Sequence, residues 1–205
     1  FRVNNKPDAA NRLKDFAARM RSEGLRITRD LTPALQEILV TTARSLLLES
    51  MPEAYIVADP RRNADAPIFG TGNRPLIVLT SGIIELLSRI ELQYVVGHEL
   101  GHLGMGHPAI PEFRVYKNEL DQLKRLSISR AAEISADRIG LLAVRSLTIA
   151  ANVKIKLASG LSSIHLKPNI EGFINQIRND DGTISSELEL YRLHPSLPLR
   201  LWALV

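Results

Sequence analysis

Two histidines four residues apart, His98 and His102, enclose a glutamate in His98-Glu99-Leu100-Gly101-His102. On an α-helix, residues at this spacing lie on one face a turn apart, so both imidazoles can grip one metal ion. Glu99 is rotated by roughly 100° from His98 about the helix axis, which sets its carboxylate beside such an ion rather than on it. Zinc in a catalytic site typically takes three protein ligands and one water, lowers the pKa of that water to about 7 and polarises a carbonyl. An adjacent carboxylate then accepts the proton and passes it to a leaving amine. The expected cofactor is one Zn2+ per chain, and the expected chemistry is peptide hydrolysis with Glu99 as general base. Read blandly, His98 and His102 are surface or core residues with other hydrogen-bond partners.

A third protein ligand has to come from elsewhere, and Ala131-Ala132-Glu133-Ile134-Ser135-Ala136-Asp137 is the best candidate stretch. Glu133 and Asp137 share one helical face among small and apolar neighbours, and two acids directed toward a core require a cation. Glu133 completes a His, His, Glu set; Asp137 accepts the spare ring N–H of a ligating histidine and sets its tautomer. The competing reading pairs both acids with Arg130 and Arg138 on a solvated face.

Composition narrows the alternatives. The chain has 205 residues, 45% of them apolar, enough for one sizeable globular domain. Cysteine is absent, which removes disulfides, thiolate metal sites and thiol nucleophiles. No apolar run reaches membrane-span length, because Leu76 to Ile90 is interrupted by Thr80-Ser81-Gly82, Glu85 and Ser88-Arg89. The chain as given therefore reads as soluble. It begins Phe1-Arg2-Val3 without a signal-peptide pattern, so upstream targeting or membrane segments are compatible with it and the compartment is unconstrained. Net charge is +4, concentrated in residues 1 to 29, which hold eight Lys or Arg against Asp8, Asp15 and Glu23. That leader reads as a solvated helix face or as an N-terminal helix that meets an anionic membrane surface. No basic segment is interleaved with aromatics, so no nucleic-acid partner is expected. The sequence assigns no oligomeric state.

The elements that must position these residues follow from periodicity. Leu13, Phe16, Ala17 and Met20 mark an amphipathic helix over Ala9 to Glu23 that stops at Gly24. A second helix starts at Thr32-Pro33 and runs to about Ser50, before Pro52. Three short β-prone pieces follow, Tyr55-Ile56-Val57, Ile68-Phe69 and Leu76-Ile77-Val78-Leu79. Ile83 to Leu87 is a short helix, and Ile90 to Gly104 is the helix that holds the histidines. Gly97 and Gly101 inside it each cost about 1 kcal/mol against alanine, which implies that a neighbouring element approaches closely. Phe113, Tyr116, Leu120 and Leu123 give a helical stripe, and a separate helix from Ser129 carries Glu133, Asp137 and Leu141. Further helices fit Thr148 to Leu157, Glu171 to Arg178 and Ser185 to Tyr191. Without repeats or a linker, the chain reads as a single domain over 1–205, with N-terminal helices in 1–50 and a catalytic core in 51–205.

In their order these pieces resemble the membrane-associated zinc peptidases that include HtpX and the CAAX prenyl proteases, a gluzincin group, over roughly residues 53 to 202. Asn63-Ala64-Asp65-Ala66 is similar to that family's Asn-Ala-Phe-Ala segment ahead of a substrate-edge strand. Leu79-Thr80-Ser81-Gly82-Ile83 resembles its strand-to-helix turn, and His98 to His102 with His107 its extended motif with a trailing histidine. Glu133 to Asp137 resembles its ligand helix, and His194-Pro195 with Arg200 its C-terminal element. The resemblance implies an α+β, mainly helical zincin-like domain with a small, mostly antiparallel sheet beside the active-site helix. It implies a peptide or unfolded protein segment bound in extended form against an edge strand near Asn63 to Thr71 or Leu76 to Leu79. His194 then stabilises the tetrahedral oxyanion and Arg200 positions it or anchors nearby acids. Alternatively, His194-Pro195 is a turn before a final helix and Arg200 pairs with an acid. His107 is expected behind the ligands or at the end of their helix, which Gly104 and Gly106 terminate. Asp65 stands where the family has an apolar residue. Prenylated substrates and an intramembrane chamber are not implied, because spans are missing from these residues.

The leading expectation is an endopeptidase that cuts extended or unfolded segments in protein quality control. A different reading is a zinc-stabilised module that binds peptides without cutting them, or a latent enzyme covered by Pro108 to Leu126.

Overall fold

The computed structural model describes residues 9–60, 64–65, 76–107, 118–179, 190–192 and 194–204. In chain order the elements are α1 (Ala9–Glu23), β1 (Leu25–Arg26), α2 (Pro33–Ser45), β2 (Glu53–Val57), β3 (Ala64–Asp65) and β4 (Leu76–Thr80). After these come α3 (Ser81–Leu86), α4 (Arg89–Gly104), α5 (Glu119–Val144), α6 (Leu147–Ser159), α7 (Ile170–Asn179) and α8 (Leu197–Trp202). The expected Ile68-Phe69 strand, Asn63, Phe113 and Tyr116, most of the Pro108 to Leu126 cover and nearly all of the Ser185 to Tyr191 helix lie outside the described residues.

The sheet has the order β1-β2-β4-β3. β1 and β3 pair antiparallel with their neighbours, whereas the longest ladder, β2 with β4, is parallel from Glu53↔Leu76 to Val57↔Thr80. The unbroken apolar run of β4 has a physical reason. Ile77 and Leu79 enter the main core with Leu92, Val95 and Val96 of α4, while Leu76 and Val78 face Met20 and Tyr55 on the other side. A strand covered on both faces carries apolar residues at successive positions. Among the described strands this makes Leu76 to Leu79 interior, while β3, which holds Ala64 of the other expected edge segment, stands at a rim of the sheet. Thr80 ends the strand and begins α3 at once, its Oγ1 accepting the Ile83 N–H at 3.3 Å.

Two helix boundaries differ from expectation. α2 stops at Ser45, because Leu47 adopts φ 56° and the Leu48 and Leu47 N–H groups close on the carbonyls of Ala43 and Arg44, both at 3.1 Å. This is a Schellman turn without its usual glycine, hence without its usual signal. The stretch from Lys124 to Arg130 contains neither Gly nor Pro, and the helix runs through it, so α5 is one 26-residue helix instead of a stripe followed by a second start at Ser129. Asn118 caps it by accepting the Asp121 N–H at 2.8 Å.

α4 is the central element and buries nearly every residue from Leu92 to Gly101. Its glycines do what their cost suggested. A Cβ on Gly97 would stand 2.6 Å from Ala143 Cβ, and one on Gly101 2.8 Å from Ile139 Cβ, so α5 packs almost backbone to backbone against α4. α6 is fastened to the start of α4 by a buried ion pair, Lys156 Nζ to Glu91 Oε1 at 2.7 Å, while Glu91 Oε2 accepts the Ser88 N–H at 2.8 Å. On the basic N-terminal helix, Arg21 pairs with Glu53 and Arg19 with Glu23. Among the described residues no helix is long and apolar enough to cross a membrane.

Candidate active site

The close approach of α4 and α5 brings His98, His102 and Glu133 together, with one donor atom from each within 4.8 Å of the others. His98 Nε2 lies 3.2 Å from His102 Nε2 and 3.6 Å from Glu133 Oε2, and His102 Nε2 lies 3.5 Å from Glu133 Oε1. Ligands about 2.0–2.1 Å from a zinc ion are separated from one another by about 3.3 Å, and each imidazole nitrogen here stands near that distance from one oxygen of the Glu133 carboxylate. Two neutral imidazoles and a carboxylate are a donor set for a divalent cation, and the geometry fits one.

Electrostatics keep the set ready to ligate. Burial pushes the His98 imidazole below its ordinary value, and burial together with the neighbouring His98 lowers His102 to about 3. Both rings are therefore neutral near pH 7, with lone pairs to offer. Burial alone would raise Glu133, but the hydrogen bond from His194 and the charges around it hold the carboxylate at about 2. His194 Nδ1 sits 3.2 Å from Glu133 Oε1, on a ring 61% exposed, and Arg200 Nη2 forms an ion pair with Glu133 Oε2 at 3.0 Å.

Asp137, 1% exposed, is the hub behind these three donors. Its Oδ1 is 2.9 Å from His98 Nδ1, off the line of an ideal N–H donor. It also accepts the Tyr94 hydroxyl at 3.1 Å. Arg200 clamps both of its oxygens, Nε to Oδ2 and Nη2 to Oδ1, each at 2.7 Å, and Lys154 Nζ closes on Oδ1. Burial works against ionisation of Asp137, yet Lys154, His98 and Arg200 hold it far below the usual carboxylate range. Burial also lowers Lys154 to about 8, partly offset by Asp137. Two cations face two carboxylates here, so the buried charges compensate one another.

Of the residues expected from sequence, the fold gathers His98, His102, Glu133, Asp137, His107, His194 and Arg200. Glu99 is buried beside His98 on α4. Ala64 lies in β3, paired with Leu79, and Asn63 is outside the described residues. The alternative in which Arg130 and Arg138 hold the acids on a solvated face is overturned. Arg130 donates instead to the carbonyls of Leu190 and Arg192, Arg138 donates to that of Ala203, and both acids are buried. Sequence reasoning missed Tyr94 and Lys154. Lys154 carried a faint signal, since α6 reads Leu147-Thr148-Ile149-Ala150-Ala151-Asn152-Val153-Lys154-Ile155 and offers no broad polar face on which a lysine would be solvated.

Comparison with known proteins agrees with this geometry. Residues 30–117 match the profile of Peptidase family M48. The chain is 33% identical over 171 residues to the plastoglobule-localized metallopeptidase 48 of Arabidopsis thaliana, covering 77% of this chain and 49% of that protein. It is 46% identical over 56 residues to the protease HtpX homolog of Pediococcus pentosaceus, covering 26% of this chain and 17% of that one. The chain thus spans about half the length of the first relative and a smaller share of the second. Its fold matches the crystal structure of Ste24p from S. mikatae with a TM-score of 0.56 at 15% identity, over 96% of this chain and 54% of that one. An alignment over 77% of a 205-residue chain necessarily includes the stretch from His98 to Asp137, which holds the whole donor set and its hub. On these matches the chain carries a Peptidase family M48 domain over residues 30–117.

Proposed function

We propose that this protein is a zinc-dependent endopeptidase acting on extended or unfolded protein segments. The observation that carries the reading is the set of 3.2–3.6 Å separations among His98 Nε2, His102 Nε2 and the two oxygens of the Glu133 carboxylate, a donor set that suits a divalent cation such as zinc. His98, His102 and Glu133 are the ligands. Zinc bound there supplies Lewis-acid polarisation of the peptide carbonyl and lowers the pKa of water to about 7. Glu99 takes the proton from water as it attacks and delivers it to the amine nitrogen of the leaving peptide. His194, partly exposed and held by Glu133, donates toward the developing oxyanion. Arg200 fixes Glu133 and Asp137 together, and Asp137 holds His98 by its other nitrogen. The rim strand β3, with Ala64, offers backbone groups to an extended peptide, and main-chain pairing of this kind orients a substrate while reading little of its sequence. Asn63, from the sequence reading, is proposed to help position the same substrate.

A structural metal site has no use for a buried glutamate at position 99, which favours an enzyme over a binding module. The deciding experiment is Glu99→Gln. Zinc content should stay near one per chain while cleavage of casein or a peptide library falls by about 10²-fold or more. Unchanged cleavage would remove Glu99 from the mechanism. Glu133→Ala in the same assay should lower zinc occupancy, and full retention would reassign the third ligand.

A further inference from the structure

The Nδ1 atoms of the two proposed ligand histidines face different partners. His98 turns toward Asp137, but His102 turns toward another histidine: His102 Nδ1 and His107 Nδ1 are 3.1 Å apart. The rings meet nearly edge to face, with centroids 5.0 Å apart and planes at 75°. The opposite nitrogen of His107, Nε2, lies 3.1 Å from Ser135 Oγ on α5. Ser135 Oγ is in turn 2.9 Å from the Ala131 carbonyl and 3.0 Å from that of Ala132.

The end of α4 is built to place His107 there. Gly106 adopts φ 61°, and the Gly106 and His107 N–H groups close on the carbonyls of Leu103 at 3.2 Å and His102 at 3.0 Å. This Schellman turn needs a left-handed residue at position 106, a conformation glycine takes without cost. It folds the backbone of His107 onto the carbonyl of the very residue its ring then touches.

We infer that Ser135 and His107 form a tautomer-setting relay that keeps His102 Nε2 unprotonated for the metal. The inference rests on the metal site proposed above. Proton counting decides the direction of every bond. A metal at His102 Nε2 requires the proton of neutral His102 on Nδ1. His102 Nδ1–H must then donate, and His107 Nδ1 must accept. A neutral His107 therefore carries its proton on Nε2, which donates to Ser135 Oγ. The serine has one hydroxyl hydrogen, and with Oγ accepting from His107 that hydrogen goes to the Ala131 or Ala132 carbonyl, neither of which can donate. The opposite direction, Ser135 donating to His107, would put the proton on His107 Nδ1 and force another onto His102 Nε2. Ser135 and His107 are positioning residues that act through His102. They also tie the end of α4 to the helix that carries Glu133.

The test compares zinc affinity, by competition with a chromophoric chelator, for wild type, Ser135→Ala, His107→Phe and His107→Asn. Partners behind a ligand histidine typically contribute 10- to 100-fold in metal affinity. His107→Phe keeps the ring volume but accepts no hydrogen bond, and it should weaken zinc binding by about 10- to 100-fold. His107→Asn can present a carbonyl oxygen to His102 Nδ1–H and should recover at least part of that loss. Ser135→Ala should weaken binding by about tenfold. In zinc-loaded wild type, two-bond ¹H–¹⁵N correlations should place the His107 proton on Nε2. Urea unfolding of the metal-free variants separates a folding defect from a binding one, and equal metal-free stability with weaker zinc binding is the expected pair of results. Wild-type affinity in His107→Phe and Ser135→Ala, or a His107 proton on Nδ1, would overturn the relay while leaving the zinc site standing. Failure of wild type to bind zinc would overturn the site and the relay together.

Discussion

Gly101→Ala tests whether the proposed metal site depends on the closeness of α4 and α5. On helix propensity alone the change should stabilise the protein by about 1 kcal/mol. The new Cβ, however, would lie 2.8 Å from Ile139 Cβ, 3.1 Å from Ile139 Cγ2 and 3.3 Å from Ala136 Cα. Carbon atoms prefer about 3.5–4.0 Å, and a Cβ cannot rotate away from its own helix, so the helices must part by about 0.7–1 Å. Overpacking of this kind costs about 1–3 kcal/mol, which outweighs the propensity gain and leaves a net loss of up to about 2 kcal/mol. The effect on the metal should be larger in proportion. Gly101 precedes His102, and Ala136 is three residues from Glu133, so the separation opens between the proposed ligands. Metal–ligand distances tolerate only about ±0.2 Å. If the metal-free variant relaxes apart, binding must pull the helices back against the same 1–3 kcal/mol, and zinc affinity should fall by about 5- to 150-fold. Gly104→Ala is the control on the same helix, because its Cβ meets only the flexible end of Leu48 at 3.2 Å. It should be neutral or mildly stabilising, with zinc affinity unchanged. The assays are urea unfolding of the metal-free proteins and chelator competition for zinc. A Gly101→Ala protein as stable as Gly104→Ala, with wild-type zinc affinity, would refute the claim that helix contact sets the donor geometry.

Two other perturbations follow from the buried charges. Glu91→Gln leaves Lys156 buried without its counter-charge and should destabilise the fold by about 3–5 kcal/mol in urea unfolding at pH 7. Burial raises the pKa of Glu91, but the Lys156 hydrogen bond and Ser88 bring it below the ordinary 4.5. Its stabilising contribution is therefore complete above about pH 4.5 and is lost as pH falls through the lower folded value, so the variant should lose less stability than wild type over that acid range. An equally steep acid limb in both proteins would show that the pair is not responsible. Arg200→Lys keeps a positive charge but cannot clamp both oxygens of Asp137 while reaching Glu133. It should cost about 2–3 kcal/mol by the same measurement, and an unchanged urea midpoint would show that the fork contributes no stability.

Much of the site was legible in the sequence because it is local. A spacing of four between the histidines, the same spacing between the acids, and glycines where a helix should avoid them are statements about one helix at a time. The shared helix face of His98 and His102 and the close neighbour implied by Gly97 and Gly101 needed nothing more. The stop of α2 was not legible, since Leu47 takes a left-handed turn that normally advertises itself with glycine. Nor was the burial of Lys154 and Lys156, because a lysine signals water unless an acid waits for it, and Asp137 and Glu91 lie on other helices. The interior place of β4 depended on strands that flank it in space and not in sequence. By itself the sequence determined which residues could ligate, which could take a proton and which helices would present them, because backbone periodicity alone sets those relations. Only the tertiary structure brought Glu133 beside the two histidines instead of leaving it with Arg130 or Arg138 on the surface, and set Asp137, Lys154, Arg200, His107 and Ser135 around the three. Those groups come from four segments, and the distances between them are set by how closely α4 and α5 pack.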